Sequence, residues 1–248
     1  MPLDRSLISS LPFFDGFASE LLDEVLAEAR SQRTPKGAHV FTQGAGATSY
    51  FLLLHGRVRA YKVTAAGEQI VMRFVAPGEL FGVAPAIGAK VYPANAVAAV
   101  ESVVLVWPSA NWSSLAARHP RLAGGMMRTL GERLKEAQTR IAEMSTQAVE
   151  RRVANALLRL AAQGGRKEAE GVAFDFPISR QDIAEMTGTT LFTVSRVFTA
   201  WEAGGLIATG RQKIMIRDPH RLAILADGLP DRRSNIAHAA AEIVVEPA

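Results

Sequence analysis

The 248-residue sequence contains no cysteine, and this absence excludes a set of chemistries. Without thiols the chain has no disulfide, no thiolate zinc site, no cysteine-ligated iron–sulfur cluster and no cysteine nucleophile. No apolar run reaches membrane-spanning length, and Asp4 and Arg5 lie where a signal peptide needs a basic flank followed by apolar residues. These absences predict a cytoplasmic protein that contacts no membrane.

Sequence signatures of catalysis are absent as well. There is no glycine-rich phosphate loop, no HExxH zinc motif and no nucleophile elbow, and the Asp and His residues are scattered over different segments. We therefore expect a protein that is not an enzyme. Residues 1–110 carry equal numbers of acidic and basic side chains, so the net charge of +4 lies in residues 111–248. An anionic partner is expected to bind that C-terminal half.

The N-terminal half combines a short helix with β-rich runs. Apolar residues at helical spacing within residues 11–30 predict the helix, with Ser19 as a possible N-cap. Residues 32–108 are short β-rich runs broken by Gly and Pro, which predicts a small sandwich or barrel. Between two of these runs, His55 and Gly56 are placed to form a tight hairpin turn.

A heptad pattern follows the β-rich half. Apolar residues recur at alternating three- and four-residue steps in a stretch without proline: Met127, Leu130, Leu134, Ala137, Ile141 and Met144. This narrow seam on a long helix predicts pairing with a second copy of the helix in a homodimer, the alternative being packing on its own domain. Ser145 or Thr146 is a candidate cap for the next helix, so a hinge is expected near residues 144–146.

Residues 178–218 predict two helices across a glycine turn, followed by two short strands. Ser179 is the expected cap of the first helix, Gly188 the turn, and the second helix is expected to start near Thr189 or Thr190. The second helix has an apolar face and an opposite face that carries Thr190, Phe192, Ser195, Arg196 and Thr199. Such a helix-turn-helix with a wing fits the major groove of DNA, although other paired amphipathic helices share the pattern.

The order of these parts resembles the CRP/FNR family of bacterial transcription regulators over residues 10–218. The motifs that carry the resemblance are PGELFG, SRQDIAEMTG and TVSR, at residues 77–82, 179–188 and 193–196. The resemblance implies an α+β fold with four parts. These are an N-terminal cyclic-nucleotide-binding-like β-roll (1–118), a long dimerisation helix with a hinge (119–145), a C-terminal winged helix-turn-helix (146–220) and a tail without assigned function (221–248).

The resemblance also implies which side chains read DNA. Arg196 matches an arginine that reads a guanine in each half-site, where a guanidinium can bond O6 and N7 together. Ser195 matches a serine near the bases, and Thr190 completes the base-reading set. Phe192 replaces a glutamate of FNR-like members and cannot accept a hydrogen bond from cytosine, so a thymine methyl is its expected partner. We expect TTG-type half-sites in an inverted repeat of double-stranded DNA.

Three further cations are candidates for DNA phosphates. They are Arg180, Arg211 and Lys213, and the competing interpretation for each is an ordinary solvated surface. The resemblance also implies RNA polymerase as a partner.

The effector pocket departs from the pattern of cyclic-nucleotide-binding relatives. In those relatives a glutamate of the GEL turn holds the ribose, and Glu79 matches it. Their Arg-Ser pair, which holds the cyclic phosphate, falls on Tyr92 and Pro93, which supply no cation, and Pro93 has no N–H to donate. Cyclic AMP is therefore disfavoured, with Lys90 the one charge that a shifted loop could supply.

The lack of cysteine also departs from oxygen-sensing FNR proteins. The chain is most similar in pattern to the nitrogen-oxide-responsive NnrR or Dnr-like members, which implies nitric oxide sensing through haem and no iron–sulfur cluster. His39, His55 and Met72 are candidate axial ligands, although each is more simply a turn, surface or core residue. The alternatives are an effector-independent FixK-like regulator, a cyclic-nucleotide-responsive regulator, and a ligand-sensing module that does not bind DNA.

Overall fold

The computed structural model describes residues 8–9, 11–14 and 16–228 and divides into two compact units, with the boundary between Arg140 and Ile141. The elements of the N-terminal unit, apart from short 3-10 turns, are α1 (Ser19–Ala27), β1 (Arg30–Thr34), β2 (His39–Phe41), β3 (Ser49–His55), β4 (Val58–Val63), β5 (Gln69–Val75), β6 (Leu80–Phe81), β7 (Asn95–Ala98), β8 (Ser102–Pro108), α2 (Trp112–Arg118) and most of α3 (Pro120–Thr146). The strands form two antiparallel sheets, of order β1-β8-β3-β6 and β2-β7-β4-β5. The predicted β-roll is thereby confirmed.

The central strands β3 and β8 point successive residues into two different cores. The first core, which also holds residues of α1, α2 and α3, receives Tyr50, Leu52, Leu105 and Trp107. The second core, between the two sheets, receives Phe51, Leu53, Val104 and Val106. Because both faces of these two central strands are buried, β3 and β8 appear in the sequence as nearly continuous apolar runs rather than as an alternation.

Three local predictions in this unit are wrong. Gly56 has a φ of +93°, but β3 and β4 lie in different sheets, so His55 and Gly56 form a crossing between sheets and not a hairpin. Ser19 is the first residue of α1 rather than its cap, which is Ala18 and offers no side-chain oxygen. Met72, expected in the core, is 47% exposed on β5.

The hydroxyl of Tyr50 is buried and has no hydrogen-bond partner among the described residues. Burial, together with the charge of Glu28, raises the pKa of this hydroxyl. The ring itself is well packed, stacked on Trp107 at 5.5 Å between centroids. Because an unsatisfied buried hydroxyl costs about 1–3 kcal/mol, we expect Tyr50→Phe to raise the free energy of unfolding by about 1 kcal/mol.

Urea unfolding followed by tryptophan fluorescence checks this expectation, since Trp107 and Trp112 both contact the Tyr50 ring. Phe51→Leu is a suitable control, because it alters a neighbouring buried ring without removing a polar group and should lower stability. A loss of stability in Tyr50→Phe would show that the hydroxyl has a partner.

The seam residues lie along α3, a single helix from Pro120 to Thr146. Met127, Leu134 and Ile141 are 68%, 61% and 65% exposed in the single chain, whereas Leu130 packs partly against its own unit. The predicted caps are wrong: Ser145 and Thr146 lie inside α3, and their hydroxyls donate to carbonyls one turn earlier. The cap of the next helix is Ala148, so the helix break falls two residues after the expected hinge.

The C-terminal unit contains the predicted helix-turn-helix and more sheet than the sequence indicated. Its elements are α4 (Val149–Gly164), β9 (Gly165–Glu168), β10 (Gly171–Phe174), α5 (Arg180–Thr187), α6 (Leu191–Ala203), β11 (Ile207–Gly210), β12 (Lys213–Ile216) and α7 (Pro219–Asp227). The strands form one sheet of order β11-β12-β10-β9, so the expected two-stranded wing is half of a four-stranded sheet.

The first residues of the predicted tail are part of a folded helix. Leu222 and Ala226 of α7 are buried, so residues 219–227 belong to the C-terminal unit rather than to a tail. The remainder of the predicted tail, residues 229–248, lies outside the described residues. Among the described helices, none is both long and apolar enough to cross a bilayer.

Candidate nucleic-acid interface

The first helix of the motif, α5, starts with the predicted cap. The Ser179 hydroxyl accepts a hydrogen bond from the Asp182 N–H, and the Asp182 carboxylate accepts one from the Ser179 N–H at 2.9 Å. This capping box satisfies N–H groups that the helix leaves free at its start. Gly188 ends the helix in the left-handed region, with a φ of +62°, which turns the chain into the second helix.

The second helix, α6, has two chemically distinct faces, as the sequence predicted. Val194, Phe198 and Trp201 are buried against its own unit. On the other side Phe192 and Arg196 are exposed and Ser195 is half-buried. An α-helix packed by one face leaves the opposite face open to solvent, where it can enter the major groove of DNA. We call α6 the recognition helix.

Thr190 lies at the N-terminus of the recognition helix, where its hydroxyl already has a structural role. It is the N-cap, and its side-chain oxygen accepts from the Thr193 N–H at 3.1 Å. The Thr190 and Thr193 hydroxyls are also 2.9 Å apart. Any base contact by Thr190 must therefore coexist with the cap.

Two polar contacts that sequence reasoning missed link the two helices of the motif to α4. The Trp201 indole N–H donates to the Glu150 carboxylate at 2.7 Å, which links the recognition helix to α4. The Arg152 guanidinium donates to the Thr187 carbonyl at 3.0 Å, at the end of α5. Because both join residues distant in sequence, no local pattern could have indicated them.

Arg180, predicted to bind phosphate, is engaged within the C-terminal unit. Its guanidinium donates to the Thr209 hydroxyl at 2.9 Å and lies 3.5 Å from the Glu202 carboxylate. Glu202 in turn accepts from the Thr209 N–H and hydroxyl. This cluster ties α5, the recognition helix and β11 together, so Arg180 contributes to the shape of the interface whether or not it reaches a phosphate.

The other two predicted phosphate ligands lie at the wing. Arg211 and Lys213 are exposed at the turn between β11 and β12, where Gln212 has a φ of +57°. A cleft of about 460 Å³ separates this turn from the start of α5, and its walls include Gln181 and Leu191. The structure thus brings Lys213 of the wing and Arg180 of α5 to one cleft, a suitable surface for a DNA phosphate.

Aromatic side chains stack on one another in the interior of the β-roll. The Tyr92 ring stacks on Phe41 at 4.0 Å, and Phe41 stacks on Phe51 and Phe81. The buried Tyr92 hydroxyl donates to the Ser49 carbonyl at 2.6 Å and accepts from its N–H. Pro93 and Lys90, in contrast, are exposed, so neither contributes to this interior.

Glu79, the predicted ribose ligand, is held by groups of its own unit. The carboxylate accepts from the Arg73 guanidinium and from the Ala76 N–H at 3.2 Å, and Arg133 of α3 lies 3.5 Å away. Burial raises the pKa of Glu79 to about 7, against the Ala76 hydrogen bond and the charge of Arg57, which lower it. Desolvation is the larger influence, and Glu136 and Glu132 of α3 act in the same direction.

A raised pKa in the folded state makes the stability of the N-terminal unit dependent on pH. A carboxyl that binds its proton more tightly when folded contributes stability at low pH, and the contribution is lost as pH rises from about 4.5 to about 7. We expect the free energy of unfolding of the native chain, relative to Glu79→Gln, to fall over this range by up to about 2 kcal/mol, allowing for partial exposure.

Chemical denaturation of both proteins at several pH values measures this difference. A difference that instead grows in favour of the native chain as pH rises would show that Arg73 and Arg133, rather than burial, control the titration.

The candidate haem ligands do not come together in an apolar site. His39 and His55 are exposed, and the His39 imidazole lies 3.5 Å from the Tyr61 hydroxyl. Met72 is exposed on β5. Haem needs an axial ligand inside an apolar pocket, and these described side chains do not provide one.

Comparison with known proteins agrees with this architecture. The family model for the cyclic nucleotide-binding domain matches residues 31–119. The family model for the Crp-like helix-turn-helix domain matches residues 151–225. The chain is 30% identical over 218 residues to the cyclic AMP receptor protein of Thermus thermophilus, covering 88% of this chain and 98% of that protein. It is 29% identical to the transcriptional activator protein FnrA of Stutzerimonas stutzeri, covering 86% of each chain.

Solved structures give the same result. A CRP-family transcriptional regulator from Thermus thermophilus superposes with a TM-score of 0.69 at 26% identity, over 81% of this chain and 98% of that chain. FixK2 from Bradyrhizobium japonicum superposes with a TM-score of 0.70 at 23% identity, over 79% and 96%, a likeness that shows the fold alone. The similar proteins are regulators, which confirms that this chain is not an enzyme. The chain belongs to the CRP/FNR family of DNA-binding transcription regulators.

Proposed function

We propose that the chain acts as a homodimer that reads an inverted repeat of TTG-type half-sites, with Arg196 bound to a guanine in each half-site. The observation that carries this proposal is the position of Arg196, exposed on the recognition helix opposite the buried residues Val194 and Phe198. A guanidinium in the major groove can donate to guanine O6 and N7 together, a pattern no other base pair offers. Ser195, half-buried beside it, has a hydroxyl that can donate to or accept from a base edge.

The homodimer is supported by the apolar surface of α3. Met127, Leu134 and Ile141 recur every seven residues and are each more than half exposed in the single chain. Exposure of a row of apolar side chains to water is unfavourable, and at this spacing a second helix can cover the row. A two-fold pair of recognition helices then matches a palindromic site, with half-sites about one helical turn apart.

Arg211 and Lys213 are proposed as phosphate ligands that position the recognition helix. Both are exposed at the wing, and contacts from them would strengthen binding to all sequences alike. Arg180 is a weaker candidate, since Glu202 and Thr209 already engage its guanidinium. We further propose that the bound dimer acts on RNA polymerase in the cytoplasm, as expected for a transcription regulator.

For control of activity, the packing of the β-roll favours the effector-independent alternative. Tyr92 and its stacked phenylalanines pack between the sheets, and Glu79 has arginine partners within its own unit. Haem or a cyclic nucleotide bound between the sheets would have to displace these side chains. Added haem should therefore produce no Soret shift, and cyclic AMP should leave DNA affinity unchanged.

Selection of bound fragments from a random DNA pool by the full-length protein tests the proposed function. We expect an inverted repeat with a fixed guanine in each half-site, recovered equally with and without cyclic AMP. Recovery of no common sequence would support the remaining alternative, a ligand-sensing module that does not bind DNA, and would contradict the proposal.

A further inference from the structure

Phe192, which the sequence predicts to face a thymine methyl, is an exposed apolar side chain on the recognition helix. The residue is 71% exposed, more than any other exposed large apolar residue in the described part of the chain. It lies in the first turn, the part of a recognition helix that contacts base edges in helix-turn-helix complexes. An exposed ring contributes nothing to the core, so its apolar surface is available to a partner.

The surroundings of Phe192 limit the chemistry of that partner. Leu191 beside it is also exposed, and the first turn contains no acidic residue. This end of the helix therefore offers no carboxylate to accept a hydrogen bond from the cytosine amino group. A phenyl ring neither donates nor accepts conventional hydrogen bonds, so it distinguishes pyrimidines only by an apolar group.

The position of Arg196 indicates which base pair the Phe192 ring would face in the major groove. Arg196 follows Phe192 by one helical turn, and its guanidinium carbon lies 5.9 Å from the centre of the Phe192 ring. A cation over a ring face at this distance gains a weak attraction, while its N–H edges remain free to donate. The guanine reader and the ring thus form one unit on the exposed face, and they should contact neighbouring base pairs.

We propose that Phe192 reads the 5-methyl group of a pyrimidine next to the guanine bound by Arg196. The inference rests on the proposed function and adds a chemical class of ligand to it. Thymine carries this methyl group in the major groove and cytosine does not. Because the ring senses the methyl itself, 5-methylcytosine should replace thymine at this base pair, which makes binding sensitive to cytosine methylation.

Replacement of thymine by deoxyuridine measures this contact, because it removes the methyl group and keeps the base pair. Each half-site thymine of the selected palindrome is replaced in turn, symmetrically in both half-sites, and affinity for the full-length protein is measured by fluorescence anisotropy. A buried methyl corresponds to about a fourfold change in affinity, so two half-sites give roughly 15-fold. We expect this loss at one thymine position, adjacent to the guanine.

Protein variants assign the effect to the ring. Phe192→Ala should make thymine and deoxyuridine equivalent at that position, whereas Leu191→Ala should keep the deoxyuridine penalty. Both residues are exposed, so neither substitution disturbs the core. In the native protein, 5-methylcytosine should bind more tightly than cytosine at the same position. Equal affinities for thymine and deoxyuridine at every position, or a penalty that survives Phe192→Ala, would overturn the inference.

A modified guanine separates this inference from the proposed function. Replacement of the half-site guanine by 7-deazaguanine removes the N7 acceptor expected to bind Arg196. Loss of affinity there, without any deoxyuridine effect, would overturn methyl reading and leave the proposed function intact. A native protein that binds no palindrome at all would overturn both.

Discussion

Arg196→Ala is expected to weaken binding to the selected palindrome by roughly 30-fold to more than 10⁴-fold. A bidentate arginine–guanine pair is worth about 1–3 kcal/mol of discrimination, and a dimer makes it twice. The side chain is exposed on the recognition helix, so its removal leaves the core packing around Val194 and Phe198 unchanged. Binding to unrelated DNA, which depends on phosphate contacts, should change little.

Competition binding against palindromes with each base substituted at the guanine position checks this result. In the Arg196→Ala protein the four bases should bind nearly alike at that position. Arg166→Ala is the matched control, because it removes an exposed arginine from β9 that pairs with Glu168. An Arg196→Ala protein that still prefers guanine would contradict the assignment.

Leu134→Glu is expected to dissociate the dimer and, with it, most specific DNA binding. The substitution places two carboxylates, one from each copy, in the apolar seam of α3, where Leu134 is 61% exposed in the single chain. Burying unpaired charge costs several kcal/mol, so the dimer dissociation constant should rise at least about 100-fold. A monomer holds one recognition helix and can contact one half-site only.

Sedimentation equilibrium measures the dissociation constant directly. Thr139→Glu adds the same charge to an exposed residue of α3 that is not part of the seam, and it should leave the dimer intact. A dimer equally stable in both variants would place the interface elsewhere on the molecule, and a loss in both would indicate that α3 itself is disrupted.

The helix-turn-helix could be predicted in detail because its signals are local. The Ser179 cap, the Gly188 turn and the apolar spacing of Val194 and Phe198 each depend on residues within one or two helical turns. These features were confirmed, and the exposed position of Arg196 follows from them. The residues that start and end the helices of this motif lie within the motif itself, so its prediction needs no knowledge of tertiary contacts.

Pairing between strands and the contents of the sensor interior could not be predicted in this way. The apolar runs of β3 and β8 indicated strands. Nothing in these runs shows that the chain passes from the sheet of β3 to the sheet of β4 at Gly56. The contact between Glu79 and Arg73 was missed because the family pattern assigned Glu79 to a ligand. Helix α7 was missed because it is only nine residues long, and a helix this short is stabilised mainly by burial of its apolar face within the C-terminal unit.

Cleavage of DNA from a label on the recognition helix tests the central claim most directly. Because the chain has no cysteine, Thr199→Cys supplies one attachment point for an iron chelate on the exposed face of the helix. With the selected palindrome, we predict two groups of cuts, one in each half-site, about one helical turn apart and related by the symmetry of the site. A single group of cuts, or uniform cleavage along the duplex, would contradict a dimer that lays paired recognition helices into successive major grooves.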